Sequence, residues 1–255
     1  MARRGPRGRP KRATSTSVSI QVEGSVSARY AGAARIPIQD PTAFTLHAFV
    51  EALEAAGIRT DLEVIDADDL EEDVTYGEDA PLLVHLSPPL IEILTAVNEK
   101  SNNFFAEQVF RTFAPGGTTA GGERRVFEFL EAAGIPTQGL SIRDGSGLSR
   151  KNLVSPETLG RLLAHMYTHD LRDAFLRTLP QGGQEGTTLR YRLAGLPVFA
   201  KTGSLEHVRA LSGYVAGPDD TPYAFVLFAN NYTSKSSLVA VAQNEIAQAI
   251  ARGGV

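Results

Sequence analysis

Val198-Phe199-Ala200-Lys201-Thr202-Gly203-Ser204 is the stretch on which the fold turns. Three apolar residues lead into a cation, a hydroxyl, a glycine and a second hydroxyl. The apolar run predicts a strand over residues 197 to 201, with the polar group at its end. A strand edge carrying that set suits an extended peptide that ends in a carboxylate: the lysine attracts the anion, the hydroxyls bond it, and Gly203 lets the ligand backbone approach closely. Taken alone, the ordinary reading is an edge-strand lysine before a glycine bend.

Downstream the texture stays that of strands. Residues 210 to 216 and 223 to 230 form two more, joined by a Gly217-Pro218-Asp219-Asp220 turn. A closing helix over 238 to 251 is expected to bury Val241, Ala242 and Ile246. Upstream the chain is helical. Ser155-Pro156 starts a helix with Leu159, Leu162, Leu163 and Met166 on its inner face, and Val126, Phe129, Leu130 and Ala133 mark another that ends at Gly134. Ser87-Pro88-Pro89 opens a helix whose Leu90, Ile93, Leu94 and Val97 keep the i, i+3, i+4, i+7 spacing of a buried stripe. That stripe breaks at 98 to 101 and resumes with Phe105, Val109 and Phe113, so residues 100 to 103 form a polar elbow between two apolar helices. Asp40-Pro41 caps a helix over 41 to 56, stopped by Gly57. Val18, Ile20 and Val22 alternate with polar residues as a strand without an evident partner, and a short strand is expected over 62 to 65. Helices, then sheet hairpins, then a terminal helix make an α+β plan, an antiparallel sheet flanked by helices.

Composition narrows the chemistry. With 255 residues, 42% hydrophobic and 21% charged, the chain can bury one sizeable core. The net charge of -4 hides six cations in the first twelve residues, which leaves -10 on the other 243. There is no cysteine, which excludes disulfides, thiolate metal sites and cysteine nucleophiles. No apolar stretch approaches the ~20 residues of a membrane span, and no apolar signal core follows the basic start, so neither a span nor an export signal is expected. Residues 1 to 16, rich in Arg, Pro, Gly, Ser and Thr, are expected to be a disordered tail.

The Ser101-Asn102-Asn103 elbow has two readings that stay open. Ser and Asn between two helices serve as caps. A Ser-x-Asn on a helical elbow, followed 100 residues later by Lys-Thr-Gly on a strand, is also the second and third element of the serine acyl-transfer signature of β-lactamases and penicillin-binding proteins.

With these in place, a family resemblance stands out. Asp144-Gly145-Ser146-Gly147-Leu148-Ser149-Arg150-Lys151-Asn152 followed by Val154-Ser155-Pro156 resembles the signature segment of the class C penicillin-binding D-Ala-D-Ala carboxypeptidases and endopeptidases, the S13 peptidase family. Asp40-Pro41 with His47-Ala48-Phe49, Leu86-Ser87-Pro88-Pro89-Leu90, Ser101-Asn102-Asn103-Phe104-Phe105-Ala106-Glu107-Gln108, Gly186-Thr187-Thr188-Leu189 and Lys201-Thr202-Gly203-Ser204 follow the family's order. The resemblance runs from about residue 18 to the end and implies a β-lactamase/transpeptidase-like fold, incomplete at its N-terminal side. It also implies three segments: the basic tail at 1–16, a remnant of the family's inserted region at 17–40, and the C-terminal part of the penicillin-binding domain at 41–255.

Carried over by position, the resemblance makes Ser101, Asn103 and Lys201 catalytic and Thr202, Gly203 and Ser204 substrate-binding. Ser101 relays protons, Asn103 holds the substrate amide, Lys201 with Thr202 anchors a terminal carboxylate, and the Ser204 N–H supplies half of an oxyanion hole. The implied ligands are a peptidoglycan stem peptide ending in D-Ala-D-Ala and the β-lactams that mimic it, with no cofactor. The implied setting is the periplasm or cell envelope. For residues 144 to 147, a glycine-rich turn at the rim of the groove is as good a reading as a catalytic one.

One part of the pattern is absent. The five lysines are preceded at three residues' distance by Gly8, Val97, Leu148, Val198 and Tyr232, so the 255 residues contain no Ser-x-x-Lys, the motif that supplies the nucleophile and its base. The expectation is a fragment from a split, frameshifted or mis-started gene, inactive alone, with an exposed apolar groove for a missing N-terminal half. The rival is a non-catalytic module that binds stem peptides. Pro6-Arg7-Gly8-Arg9-Pro10 matches the core of a minor-groove arm, but the acidic body offers no second basic surface, so nucleic acid is not an expected partner. His165 and His169 stand at i,i+4 without the glutamate or third ligand of a zinc site, so no metal is expected.

Overall fold

The computed structural model describes residues 38, 40–59, 65–70, 84–114 and 116–254. The chain divides into two compact units, Met1–Val84 and His85–Val255. In the first, helix α1 is Pro41–Ala55. Asp40 Oδ1 accepts from the Ala43 N–H at 2.9 Å, Pro41 needs no donor in the first turn, and Gly57 at φ 81° ends the helix. A 3-10 turn at Ala67–Asp69 follows. The strand expected over 18 to 22 lies outside the described residues, as does all of the 62 to 65 strand but Ile65.

Among the described residues of the second unit five helices precede the sheet and one follows it: α2 (Leu90–Lys100), α3 (Asn103–Thr112), α4 (Thr119–Ala132), α5 (Pro156–Thr168), α6 (Arg172–Thr178) and, after the strands, α7 (Ser236–Ala251). Side-chain oxygens of Asn102, Thr118 and Ser155 cap α3, α4 and α5, each accepting an N–H three residues on. The seven-residue α6 is too short for a periodic signal and is not anticipated by the apolar pattern.

Strands β1 (Val198–Leu205), β2 (Val208–Ala216) and β3 (Pro222–Asn230) form one antiparallel sheet in the order β1-β2-β3. β1 does not end at Lys201 as expected. Its pairing continues through Thr202↔Leu211, Gly203↔Ala210 and Ser204↔Arg209, so the Lys-Thr-Gly motif lies inside the strand.

Both faces of the sheet are covered. On one, Val198, Ala200, Leu211, Val215 and Phe225 pack with Leu189, Leu193 and Ala247 of α7, all nearly or wholly buried. On the other, Tyr214 packs with Leu163 of α5 and Leu179, flanked by Tyr167, Phe175 and Val226. Tyr214 is buried and its hydroxyl donates to the Leu163 carbonyl at 2.7 Å, which ties α5 to the middle strand. Such a hydroxyl must find a partner when water is excluded.

One expected core face is reversed. α7 turns Gln243 and Ala247 inward, whereas Val241 and Ile246 are 50% and 44% exposed and Ala242 is exposed too. The cause is tertiary. Gln243 donates to the Leu227 carbonyl at 3.2 Å and accepts from Arg192, while Asn244 accepts from Arg192 Nε at 2.9 Å. The polar anchors set the rotation of a helix whose apolar residues permit two.

Replacing Tyr214 by Phe removes its hydroxyl bond while the Leu163 carbonyl keeps its place in the α5 ladder, and is expected to cost about 0.5–1.5 kcal/mol in urea unfolding. Burial pushes the Tyr214 phenol up to about 12 from 10.0. Its contribution is therefore whole below pH 10.0 and declines as pH rises through about 12, a decline the Phe variant lacks.

Candidate active site

Helices α2 and α3 meet at a bend made by two residues. Ser101 takes the left-handed conformation at φ 54°, ψ 51°, which costs a non-glycine residue about 1–2 kcal/mol. Asn102 caps α3, its Oδ1 accepting from the Phe105 N–H at 3.0 Å. Asn102 is the cap, and Ser101, Asn102 and Asn103 all line a cavity of about 550 Å³.

The end of α2 is clamped to residues 178–188. Asn98 donates to Thr178 Oγ1 at 2.8 Å, Gln184 Nε2 to Glu99 Oε1 at 2.8 Å, the Thr188 N–H to the Glu99 carbonyl at 3.0 Å, and Lys100 Nζ to the Gly186 carbonyl at 2.6 Å. These four bonds hold the bend where Ser101 can face the sheet. No periodic pattern points to them; the Gly186-Thr187-Thr188 run was the only sequence signal.

The facing wall is the outer edge of β1. Its first half is covered: the Ala200 N–H donates to the Pro180 carbonyl at 3.1 Å, and the Gly182 N–H to the Val198 carbonyl at 3.0 Å. Among the described residues cover stops at Lys201, and the edge is open along the motif itself. Lys201, Thr202, Gly203 and Ser204 all line the cavity, and Lys201 Nζ donates across it to Ser101 Oγ at 2.9 Å and back to the Thr202 carbonyl at 2.8 Å. The six residues nominated from sequence thus share one cavity, although 100 positions separate the first from Lys201. Burial lowers the Lys201 pKa from 10.5 to about 8. An ammonium has three N–H donors, and among the described residues two are engaged by the protein.

The third wall is the 144–152 loop. Its base is closed by the Ser141↔Leu153 bridge. Inside, Asp144 is a hub: it accepts from the N–H groups of Gly147 at 2.5 Å and Ser149 at 2.7 Å, from Ser146 Oγ at 3.1 Å and from Asn152 Nδ2 at 3.2 Å. Burial pushes the Asp144 carboxyl up, but these bonds outweigh it and hold the pKa below the ordinary 3.8. Glu107 of α3 accepts from the Gly145 N–H at 2.7 Å. A Cβ on Gly145 would stand 2.7 Å from the Ala106 carbonyl oxygen, so only glycine lets the loop lie this close to α3. Arg150 reaches the Glu206 carbonyl at 3.1 Å, joining the loop to the β1–β2 turn. Gly145 to Leu148 therefore line the groove, their backbone shaped by a carboxylate that bonds within the loop. Among the described residues no group of three or more His, Asp or Glu could hold a metal ion, and no helix is long and apolar enough to cross a membrane.

A helix-flanked antiparallel sheet whose open edge bears Lys-Thr-Gly, opposite a Ser-x-Asn elbow, defines the β-lactamase/transpeptidase-like class of folds. Solved structures agree. Penicillin binding protein 4 (dacB) from Haemophilus influenzae, in complex with a β-lactam, superposes with a TM-score of 0.72 at 26% identity, covering 85% of this chain and 53% of that one. The TLA-3 extended-spectrum β-lactamase shares the fold, with a TM-score of 0.51 at 19% identity over 82% of each chain. The profile of the D-Ala-D-Ala carboxypeptidase 3 (S13) family matches residues 9–252, and the chain belongs to that family of serine-type carboxypeptidases. It is 34% identical over 240 residues to the D-alanyl-D-alanine carboxypeptidase of Actinomadura sp. (strain R39), which is 86% of this chain and 43% of the relative. It is 35% identical over 164 residues to D-alanyl-D-alanine carboxypeptidase DacB of Haemophilus influenzae, 60% of this chain and 34% of the relative. The chain spans less than half the length of either curated relative.

Asp144→Asn keeps the shape of the hub but turns one acceptor oxygen into a donor, so the N–H of Gly147 or Ser149 loses its partner. Amide exchange at those two positions is expected to speed up about tenfold or more. Because the native Asp144 pKa lies below the free value of 3.8, their protection in the parent is present above pH 3.8 and falls as pH drops through that native pKa. The variant shows no such titration; equal protection at every pH in both proteins would refute the hub.

Proposed function

We propose that this chain is the substrate-holding portion of a serine-type D-Ala-D-Ala carboxypeptidase or endopeptidase acting on peptidoglycan stem peptides in the cell envelope. The observation that carries the reading is the Lys201 ammonium on the open β1 edge, bonded across the groove to Ser101 with a donor to spare. A terminal carboxylate is the complement to that charge, and the Thr202 hydroxyl stands beside it on the same edge. An extended peptide that adds to β1 would run along Gly203 and Ser204, with its amide toward Asn103 on the elbow. In that pose the Ser204 N–H forms part of an oxyanion hole, and Ser101, bonded to a lysine of lowered pKa, passes a proton to the departing D-Ala amine. β-Lactams, which carry a carboxylate beside a strained amide, fit the same groove.

The acyl-transfer step itself needs a serine activated by a base. The 255 residues contain no Ser-x-x-Lys. This chain by itself therefore binds without turning over: reversible association, no acyl-enzyme and no release of D-Ala.

Fluorescent penicillin is expected to leave no covalent label on the denatured chain, and a labelled band would refute the proposal. Calorimetry with a peptide ending in D-Ala-D-Ala is expected to show reversible binding that Lys201→Met weakens about tenfold or more, since bonds to a charged group are worth about 1.5–3 kcal/mol. The same affinity should hold below pH 8 and fall as pH rises through about 8, where Lys201 loses its proton. Binding that is flat with pH would show that Lys201 does not carry the carboxylate.

A further inference from the structure

Two arginines stand where the sheet meets α7, and among the described residues both bond only to neutral oxygens. Arg192 donates from Nε to Asn244 Oδ1 at 2.9 Å, and from one Nη to Gln243 Oε1 at 3.1 Å and to the Ala240 carbonyl at 3.3 Å. Arg209, on β2, donates from one Nη to Ser236 Oγ at 3.3 Å, and its buried Nε has no hydrogen-bond partner. Ser236, Ala240 and Asn244 follow one another at i, i+4 and i+8, so the two guanidiniums lie against one stripe of α7. Burial, and then the charge of Arg209, push the Arg192 guanidinium below its ordinary pKa. Glu206, the acidic residue nearest to Arg209 in sequence, is turned instead toward Arg150 at 3.5 Å.

Sheet register sets what Arg209 stands beside. Val198 and Ala200 of β1 and Leu211 and Val215 of β2 belong to the core that includes Ala247 of α7. Alternation along the strands therefore puts Thr202, Ser204 and Arg209 on that face, and Lys201 on the other. Arg209 is the cross-strand partner of Ser204 and the diagonal neighbour of Thr202, roughly 5 Å and 7–8 Å away, a span that a long side chain covers. Thr202 and Ser204 line the groove, so Lys201 serves its open edge from one face of the sheet and Arg209 stands behind that edge on the other. Thr188, which also lines the groove, has a buried Oγ1 that likewise lacks a partner. Buried polar groups are ordinarily satisfied, by protein, by water or by a ligand.

We propose that Arg209, backed by Arg192, is the second cation of the carboxylate subsite and makes the groove prefer a ligand ending in a carboxylate over the same ligand ending in a neutral amide. This rests on the reading of the groove as a peptide-holding site. One N–H of the Lys201 ammonium is satisfied by a neutral carbonyl as well as by a carboxylate oxygen. A second cation one strand behind the edge responds only to net charge. Arg209 is thus a positioning residue, acting through the Thr202 and Ser204 hydroxyls and through a field that no neighbouring acid among the described residues cancels.

The test is calorimetry on the full chain with an acyl-D-Ala-D-Ala peptide and with the same peptide as its C-terminal amide. Arg209→Met is expected to weaken the acid about tenfold or more, to leave the amide within about twofold, and to flatten the fall of acid affinity with salt. Arg209→Lys, which keeps the charge on a long stem, is expected to restore most of the preference. The unsubstituted chain supplies a measurement that no folding defect can confuse: its preference for the acid is expected to persist at about pH 10, where Lys201, with a pKa of about 8, is neutral. Equal losses on acid and amide would leave Arg209 a packing role, and unchanged acid affinity would show that its charge is met by an acid elsewhere in the chain. Either result, or a preference that vanishes at pH 10, overturns the inference while peptide binding stands. A chain that binds neither peptide overturns the functional reading and this inference with it.

Discussion

A lysine drawn out of water between a strand edge and a helix elbow is the contact around which the site is organised. Burial disfavours the charged form of Lys201 and lowers its pKa to about 8. The protein offers two neutral oxygens in return, Ser101 Oγ and the Thr202 carbonyl. Neutral acceptors compensate a cation only in part, so the ammonium keeps an unmet demand for negative charge directed at the groove. That incomplete compensation costs stability: the penalty is whole below a pH of about 8 and fades as pH rises toward 10.5.

Much of the surrounding structure keeps Ser101 within reach of that lysine. A serine at φ 54° is held there against its preference. The restraint is the set of bonds from Asn98, Glu99 and Lys100 to residues 178–188, with the Asn102 cap fixing where α3 begins. The third wall is rigid for a different reason. A nine-residue loop with two glycines would wander, but the Asp144 carboxylate gathers two N–H groups, a hydroxyl and an amide, and Glu107 pins Gly145 to α3. Backbone donors satisfied from within the loop let its outer surface face the groove.

Features governed by near neighbours in sequence could be read before any fold was known. Asp40, Asn102 and Ser155 cap helices because a short oxygen-bearing side chain finds an N–H three residues ahead whatever the rest of the chain does. The three strands followed from alternation and turn residues, and the Lys-Thr-Gly and Ser-x-Asn motifs identified residues that do share one cavity. Four features were hidden. α6 is too short for periodicity. The Asp144 hub depends on a loop folding back on itself. The clamp on α2 joins residues about 80 positions apart. β1 runs past Lys201 because its partner β2 supplies a ladder that the polar composition of 201–204 does not announce.

The face of α7 shows where the boundary lies. By itself, the amino-acid order determined that residues 238 to 251 form a helix, that a cation and a hydroxyl motif stand on a strand and an elbow, and that no Ser-x-x-Lys accompanies them. Only the tertiary structure decided which side of α7 meets the sheet. Val241 and Ile246 carry the larger hydrophobic surface, yet Gln243 and Asn244 turn inward because the Leu227 carbonyl and Arg192 need partners there. Hydrophobic burial is non-directional and permits several rotations, whereas a buried hydrogen bond fixes one.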